Sequence, residues 1–163
     1  MTEFLDDSEG ELKRAEHMIF VSLKYSRTVD VMRNVIQRLV NSIEFMINGY
    51  LDILIDEKKI EELPTAPITK VNQVKKNFKD QSIISMVELY LFLRKLYRAK
   101  YTCSREFRRH VTMTSTVINL ETDEKTIYEI KIDHLREYFD QTREYWNNYK
   151  KLIKGDEESD LYE

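Results

Sequence analysis

Glycine and proline are scarce in this chain, with three Gly and two Pro among 163 residues. Because these residues form turns and interrupt helices, their scarcity indicates a few long helices joined by few loops. Hydrophobic residues make up 42% of the chain and charged residues 34%, which is neither a disordered nor a membrane composition. A chain of this length can bury a core without disulfides or metals.

Cysteine occurs once, at Cys103, so no internal disulfide can form and a reducing compartment is expected. Residues 1–11 are acidic and lack the apolar segment of a signal peptide, and charges interrupt every long apolar stretch. We therefore expect a cytoplasmic protein that does not associate with a membrane. The chain has no cysteine pair for zinc, no Glu three residues before a histidine and no glycine-rich phosphate loop, so no metal or cofactor is expected.

Helical spacing of apolar residues predicts four long helices, over residues 8–24, 29–54, 82–101 and 133–154. Ser8 and Glu11 form a capping box that predicts the start of the first helix, and Gly155 is expected to end the last. A short helix or turn is predicted over residues 69–80. Two segments with alternating polar and apolar residues, 116–121 and 126–132, predict a small β-hairpin.

These elements predict an all-α fold, an antiparallel four-helix bundle with an extra short helix and a small β-hairpin before the last helix. The chain shows no internal repeat and no domain boundary, so residues 1–163 are predicted to form a single helical-bundle domain. Residues 1–7 and 156–163 are expected to be flexible acidic tails.

Charge is distributed unevenly along the chain. Residues 1–12 and residues 156–163 each carry five acids and no base, whereas residues 69–115 carry eleven Lys and Arg against three acids. Such an excess is typical of an anion-binding face. It is equally compatible with a solvated helix face of unequal charge.

The segment from Arg105 to His110 is the main chemical signal, and it is predicted as a helix or an ordered loop. On a helix these two residues would lie about 140° apart, on neighbouring faces. Arginine can hold a phosphate through two hydrogen bonds, and imidazole can move a proton near neutral pH. Together they could cleave an RNA phosphodiester without a metal, with possible support from Glu106 and Arg109.

At this segment the chain resembles the HEPN superfamily, whose hallmark is a four-helix bundle carrying Arg, four to six residues and then His near the start of its last core helix. The resemblance extends over about residues 8–154 and implies a HEPN-like fold, dimerisation and metal-independent endoribonuclease activity, often in toxin–antitoxin or antiviral defence systems. It implies Arg105 and His110 as the catalytic pair. The position after the arginine is Glu106 here, where the family more often has Asn, Asp or His.

Several cations near the motif could bind an RNA backbone. They are Lys75, Lys76, Arg94, Arg98, Lys100, Arg108 and Arg109. Our first hypothesis is a HEPN-like module that binds nucleic acid or a nucleotide. The alternatives are a ribonuclease that uses Arg105 and His110, and a dimeric bundle for protein interaction without catalysis. The expected partners are RNA or a nucleotide, a cognate partner protein and a second copy of the chain.

Overall fold

A computed structural model describes residues 2–162, with side chains described through Gly155. Over this range the protein is mainly helical, with five helices and a three-stranded antiparallel sheet before the last of them. The helices are α1 (Thr2–His17, continuing through a π-helical turn, Met18–Ser22, and a last turn, Leu23–Tyr25), α2 (Val29–Asp56), α3 (Pro67–Asn77), α4 (Gln81–Arg98) and α5 (Ile132–Tyr162). The strands are β1 (Lys100–Ser104), β2 (Thr112–Ile118) and β3 (Lys125–Ile130).

Helix α2, predicted over residues 29–54, is the centre of the fold. Thr28 caps it by accepting a hydrogen bond from the Val31 N–H at 3.3 Å. Most of its apolar side chains are buried from Val29 to Leu54, because the helix contacts each of the other four helices. The wide apolar stripe on α2 is therefore explained by contacts on several sides.

Helix α1 packs against α2 in the opposite direction. The Ser8 hydroxyl donates to the Ser42 carbonyl at 2.9 Å, and Arg38 of α2 pairs with Glu11 at 3.2 Å. The predicted helix start at Ser8 is wrong, because α1 begins at Thr2 and Ser8 is buried inside it. Residues 2–7 are therefore part of the helix, with Leu5 in the core, and do not form the expected tail.

Helices α4 and α5 also run in opposite directions. Phe92 packs edge-to-face on Tyr138, and Asn148 donates a hydrogen bond to Ser82 at 2.9 Å. Asp80 caps α4 by accepting a hydrogen bond from the Ser82 N–H at 2.8 Å.

The sheet has the strand order β1-β2-β3. The predicted hairpin corresponds to β2 and β3, which pair with Met113 opposite Ile130. Strand β1 was not predicted, because the helical pattern was extended to residue 101. The helix instead ends at Arg98, and Lys100 pairs with Thr116 of β2.

The end of α5 also differs from the prediction. Gly155 does not end the helix, which runs to Tyr162. The predicted acidic tail over residues 156–163 lies outside the part of the chain whose side chains are described. Met1 and Glu163 are not described at all. No helix in the described range has the length and apolarity needed to cross a membrane.

Candidate functional site

The predicted motif lies in the loop that joins β1 to β2. Arg105 and Phe107 adopt left-handed backbone conformations, with φ values of 54° and 65°. For residues other than glycine this conformation costs about 1–2 kcal/mol each, so surrounding contacts must hold the loop in place. Of the two predicted alternatives, a helix or an ordered loop, the structure has the loop, and the helical geometry considered for Arg105 and His110 does not occur.

Two hydrogen bonds hold this loop against the connection between α1 and α2. The Phe107 N–H donates to the Arg27 carbonyl at 2.7 Å, and the Val29 N–H donates to the Glu106 carboxylate at 3.1 Å. Glu106 thus satisfies a donor in the first turn of α2 and places a negative charge at its positive end. Local desolvation and the Glu106 carboxylate also raise the pKa of the nearby Cys103 thiol, which favours its uncharged form.

A cleft of about 600 Å³ opens beside this loop. Three separate segments line it: the end of α1 with the connection to α2, the β1–β2 loop, and the start of α5. The lining residues are Ile19, Leu23, Lys24, Arg27, Arg109, His110, Lys131, Ile132, Asp133 and Arg136.

The lining of the cleft is strongly basic. It contains five Lys or Arg side chains and a single carboxylate, that of Asp133. Asp133 lies 3.7 Å from Arg136 and can offset only part of this charge. The positive end of the α5 dipole adds to the field, although the Lys131 N–H there is bonded to His134 Nδ1 at 2.9 Å. The cleft therefore favours an anionic ligand.

The π-helical turn of α1 borders the cleft. A π-turn inserts one extra residue into the helical repeat and shifts the following side chains around the axis, and such turns are frequent at functional sites. Ile19 in this turn is buried, whereas Phe20 projects to the surface with the Arg136 guanidinium 5.8 Å from its ring centre. Nothing in the sequence pattern predicted this turn.

Two exposed aromatic residues belong to the segments that line the cleft, although neither ring is part of the lining. Tyr25 is 86% exposed and lies next to the cleft residue Lys24 in sequence. Phe107 is 74% exposed, and its backbone is bonded to that of Arg27. Cations that can contact phosphates beside rings that can stack on bases are the usual components of a single-strand nucleic-acid site.

The structure brings only part of the predicted site into the cleft. His110 and Arg109 both line it, whereas Arg105, at the other end of the loop, does not. Arg108 is exposed in the same loop, and its N–H donates to the Arg105 carbonyl at 3.2 Å. Glu106 is occupied in capping α2.

The other predicted nucleic-acid-binding residues lie elsewhere. Lys75 and Lys76 are on α3, where Lys75 is 3.8 Å from Glu88. Arg94, Arg98 and Lys100 line a second groove, which shares no lining residue with the cleft. Near this groove the rings of Tyr97 and Tyr101 hold the Arg33 guanidinium at 4.5 and 4.4 Å from their centres.

Sequence reasoning missed four of the cleft cations: Lys24, Arg27, Lys131 and Arg136. Each is a single charge near a helix end, with no local pattern to distinguish it from surface lysine or arginine. Only the chain path, which brings the β1–β2 loop and the start of α5 to the end of α1, places them together.

Among the described residues, no group of three or more His, Cys, Asp or Glu side chains is arranged to hold a metal ion. Comparison of the chain with protein-family models, with curated proteins and with solved structures finds no match.

Proposed function

We propose that this protein binds single-stranded RNA or a nucleotide in the basic cleft. The proposal is based mainly on the lining of the cleft, which contains five lysine or arginine side chains and His110 but only one carboxylate. A phosphate entering the cleft would gain charge-assisted hydrogen bonds from guanidinium groups of three different chain segments. The exposed rings of Tyr25 and Phe107, on two of the segments that line the cleft, would offer unpaired bases a surface for stacking.

We also propose that α1, α2, α4 and α5 form an antiparallel four-helix bundle of the HEPN type, with α3 as the extra helix. The opposed directions of α1 with α2 and of α4 with α5 support this arrangement. The β1–β2 loop departs from the family pattern, since it places Arg105 and His110 before β2 and not near the start of the last helix.

Binding of a fluorescein-labelled single-stranded RNA, followed by anisotropy over a range of salt concentrations, tests the proposed ligand. Lys24→Ala and Arg109→Ala should each weaken binding and reduce the slope of log affinity against log salt by about 0.7, since each removes one phosphate contact.

Lys76→Ala is the matched control, because Lys76 is an exposed lysine in the last turn of α3, away from the cleft lining. It should leave both affinity and slope nearly unchanged. The proposal fails if the wild-type protein does not bind RNA at low salt, or if the control weakens binding as much as Lys24→Ala.

A second candidate function is metal-independent RNA cleavage, favoured by the presence of His110 and Arg109 in the same cleft. The imidazole would remove the 2′-hydroxyl proton or protonate the leaving oxygen, and the guanidinium would stabilise charge on the phosphate. Cleavage should then persist in excess EDTA and be abolished by His110→Ala without a change in thermal unfolding. Arg105→Ala should retain cleavage, and equal rates for His110→Ala and the wild type would refute the role of His110.

A further inference from the structure

A second groove of about 480 Å³ lies between the C-terminal half of α4 and the end of β2. Four cations line one side of it: Arg94, Lys95, Arg98 and Lys100. The rest of the lining is Ala99, Thr116, Val117, Ile118 and Leu120, so no carboxylate contributes to it.

This groove is separate from the cleft. Lys100 and Thr116 pair near the C-terminal end of β2, whereas His110 precedes the start of that strand. At about 3.3 Å per strand residue, the two sites are roughly 20 Å apart along β2. A ligand confined to the cleft leaves the charge in the groove uncompensated.

The cations and the apolar wall of the groove are both available to a partner. In the described part of the chain, Lys95, Arg98 and Lys100 take part in no ion pair within 4.0 Å. Beside them Ile118 is 46% exposed and Leu120 is 92% exposed. Uncompensated cations next to exposed aliphatic side chains are suited to a partner that is both acidic and apolar.

The chemistry of the wall favours a peptide over a nucleic acid at this groove. Non-specific nucleic-acid surfaces use aromatic rings on which bases stack, whereas Val117, Ile118 and Leu120 are aliphatic. Such side chains pack well against the Leu or Tyr of a peptide, whose carboxylates would pair with the lysines and arginines.

A segment of this composition is present in the chain itself. Residues 156–163 carry five acids and no base, together with Leu161 and Tyr162. We propose that residues 156–163 of one copy dock in the α4–β2 groove of a second copy. The segment would approach from the α4 side, because Glu121, Asp123 and Glu124 in the turn after Leu120 would repel it from the opposite direction.

The position of α5 favours exchange between copies over docking within one chain. Asn148 contacts Ser82, which places the second half of α5 beside the N-terminus of α4. The groove is at the other end of α4, about 24 Å away for sixteen helical residues at about 1.5 Å each. Reciprocal docking of two segments in two grooves closes a two-fold dimer.

Sedimentation velocity of the full chain over a range of concentrations tests this proposal through the dimer dissociation constant. Arg98→Glu with Lys100→Glu in the groove should raise that constant by at least about tenfold, because like charges then face each other. Glu157→Lys with Glu158→Lys in the segment should do the same. Combining both pairs of substitutions should restore dimerisation, since the charges are then exchanged.

Lys76→Glu with Lys79→Glu is the matched control, because it changes the net charge equally at exposed positions outside the groove. An excess of synthetic peptide with the sequence of residues 156–163 should also dissociate the wild-type dimer, which tests the contact without any substitution. The proposal is overturned by a wild-type chain that stays monomeric, by groove variants that dimerise normally, or by groove variants that lose only RNA affinity.

Discussion

At Gly49 helices α2 and α5 can approach closely because glycine has no side chain. A Cβ added there would lie 2.5 Å from Cζ of Tyr149 and would also overlap its hydroxyl. Tyr149 is fully buried against Tyr50, with ring centres 5.1 Å apart, and has little room to move. The residue is therefore required by packing, although the sequence shows it only as a glycine inside a helical pattern.

We expect Gly49→Ala to lower the free energy of unfolding by about 1–3 kcal/mol, because overpacking outweighs the gain in helix propensity. Gly10→Ala is the matched control on α1, where an added Cβ meets no atom within 4 Å. It should raise stability by about 0.5–1 kcal/mol. Urea unfolding of both variants measures the difference, and a neutral or stabilising Gly49→Ala would contradict the packing argument.

At the scale of elements, the β1–β2 loop is predicted to depend on Glu106. Glu106→Ala removes the acceptor for the Val29 N–H and should cost about 1 kcal/mol in unfolding free energy, as loss of a helix cap does. Glu106→Gln keeps an acceptor but loses the charge near the α2 dipole, so it should cost less than Glu106→Ala.

Because the same loop carries Arg109 and His110, Glu106→Ala should also weaken RNA binding in the cleft, while Glu106→Gln should retain most of it. Urea unfolding and RNA anisotropy on the same samples test both effects. If Glu106→Ala were as stable as the wild type, the hydrogen bond to Val29 would have no stabilising role.

The elements that sequence reasoning missed have identifiable physical causes. All five residues of strand β1 are exposed, so it has no alternation of buried and exposed positions from which a strand can be predicted. The π-turn in α1 has an amino-acid composition typical of a helix, and it changes only which face of the helix the following side chains occupy. Helix α2 was predictable because its buried stripe repeats over many turns, which gives a strong periodic signal.

At the scale of the whole molecule, the basic cleft is a property of the chain path. Two residues of the predicted motif segment, Arg109 and His110, line the cleft, whereas Arg105 does not. Lys24 and Arg136 reach the same cleft from helices more than a hundred residues apart in the chain. No local sequence pattern shows that these residues come together. The sequence therefore indicated an anion-binding surface but not where on the fold it lies.

The buried tyrosines of the core predict how the whole molecule responds to alkaline pH. Burial, with the negative charge of Glu44, raises the pKa of Tyr90 to about 12. Burial, with Asp52, raises the pKa of Tyr149 to about 12 as well. In the unfolded chain these phenols ionise near pH 10, so the folded state disfavours their charged forms.

The sign of the effect follows from this order of pKa values. Below pH 10 both states are protonated and the stability contributed by burial is fully present; above it the unfolded state loses protons first. Unfolding free energy should fall between pH 10 and about pH 12, by up to about 1.4 kcal/mol per pH unit for each tyrosine. Urea unfolding across this range, with tyrosinate absorbance recorded in parallel, measures both quantities. Tyr90→Phe should reduce the slope because it removes one ionisable group, and an unchanged slope in that variant would contradict the contribution assigned to Tyr90.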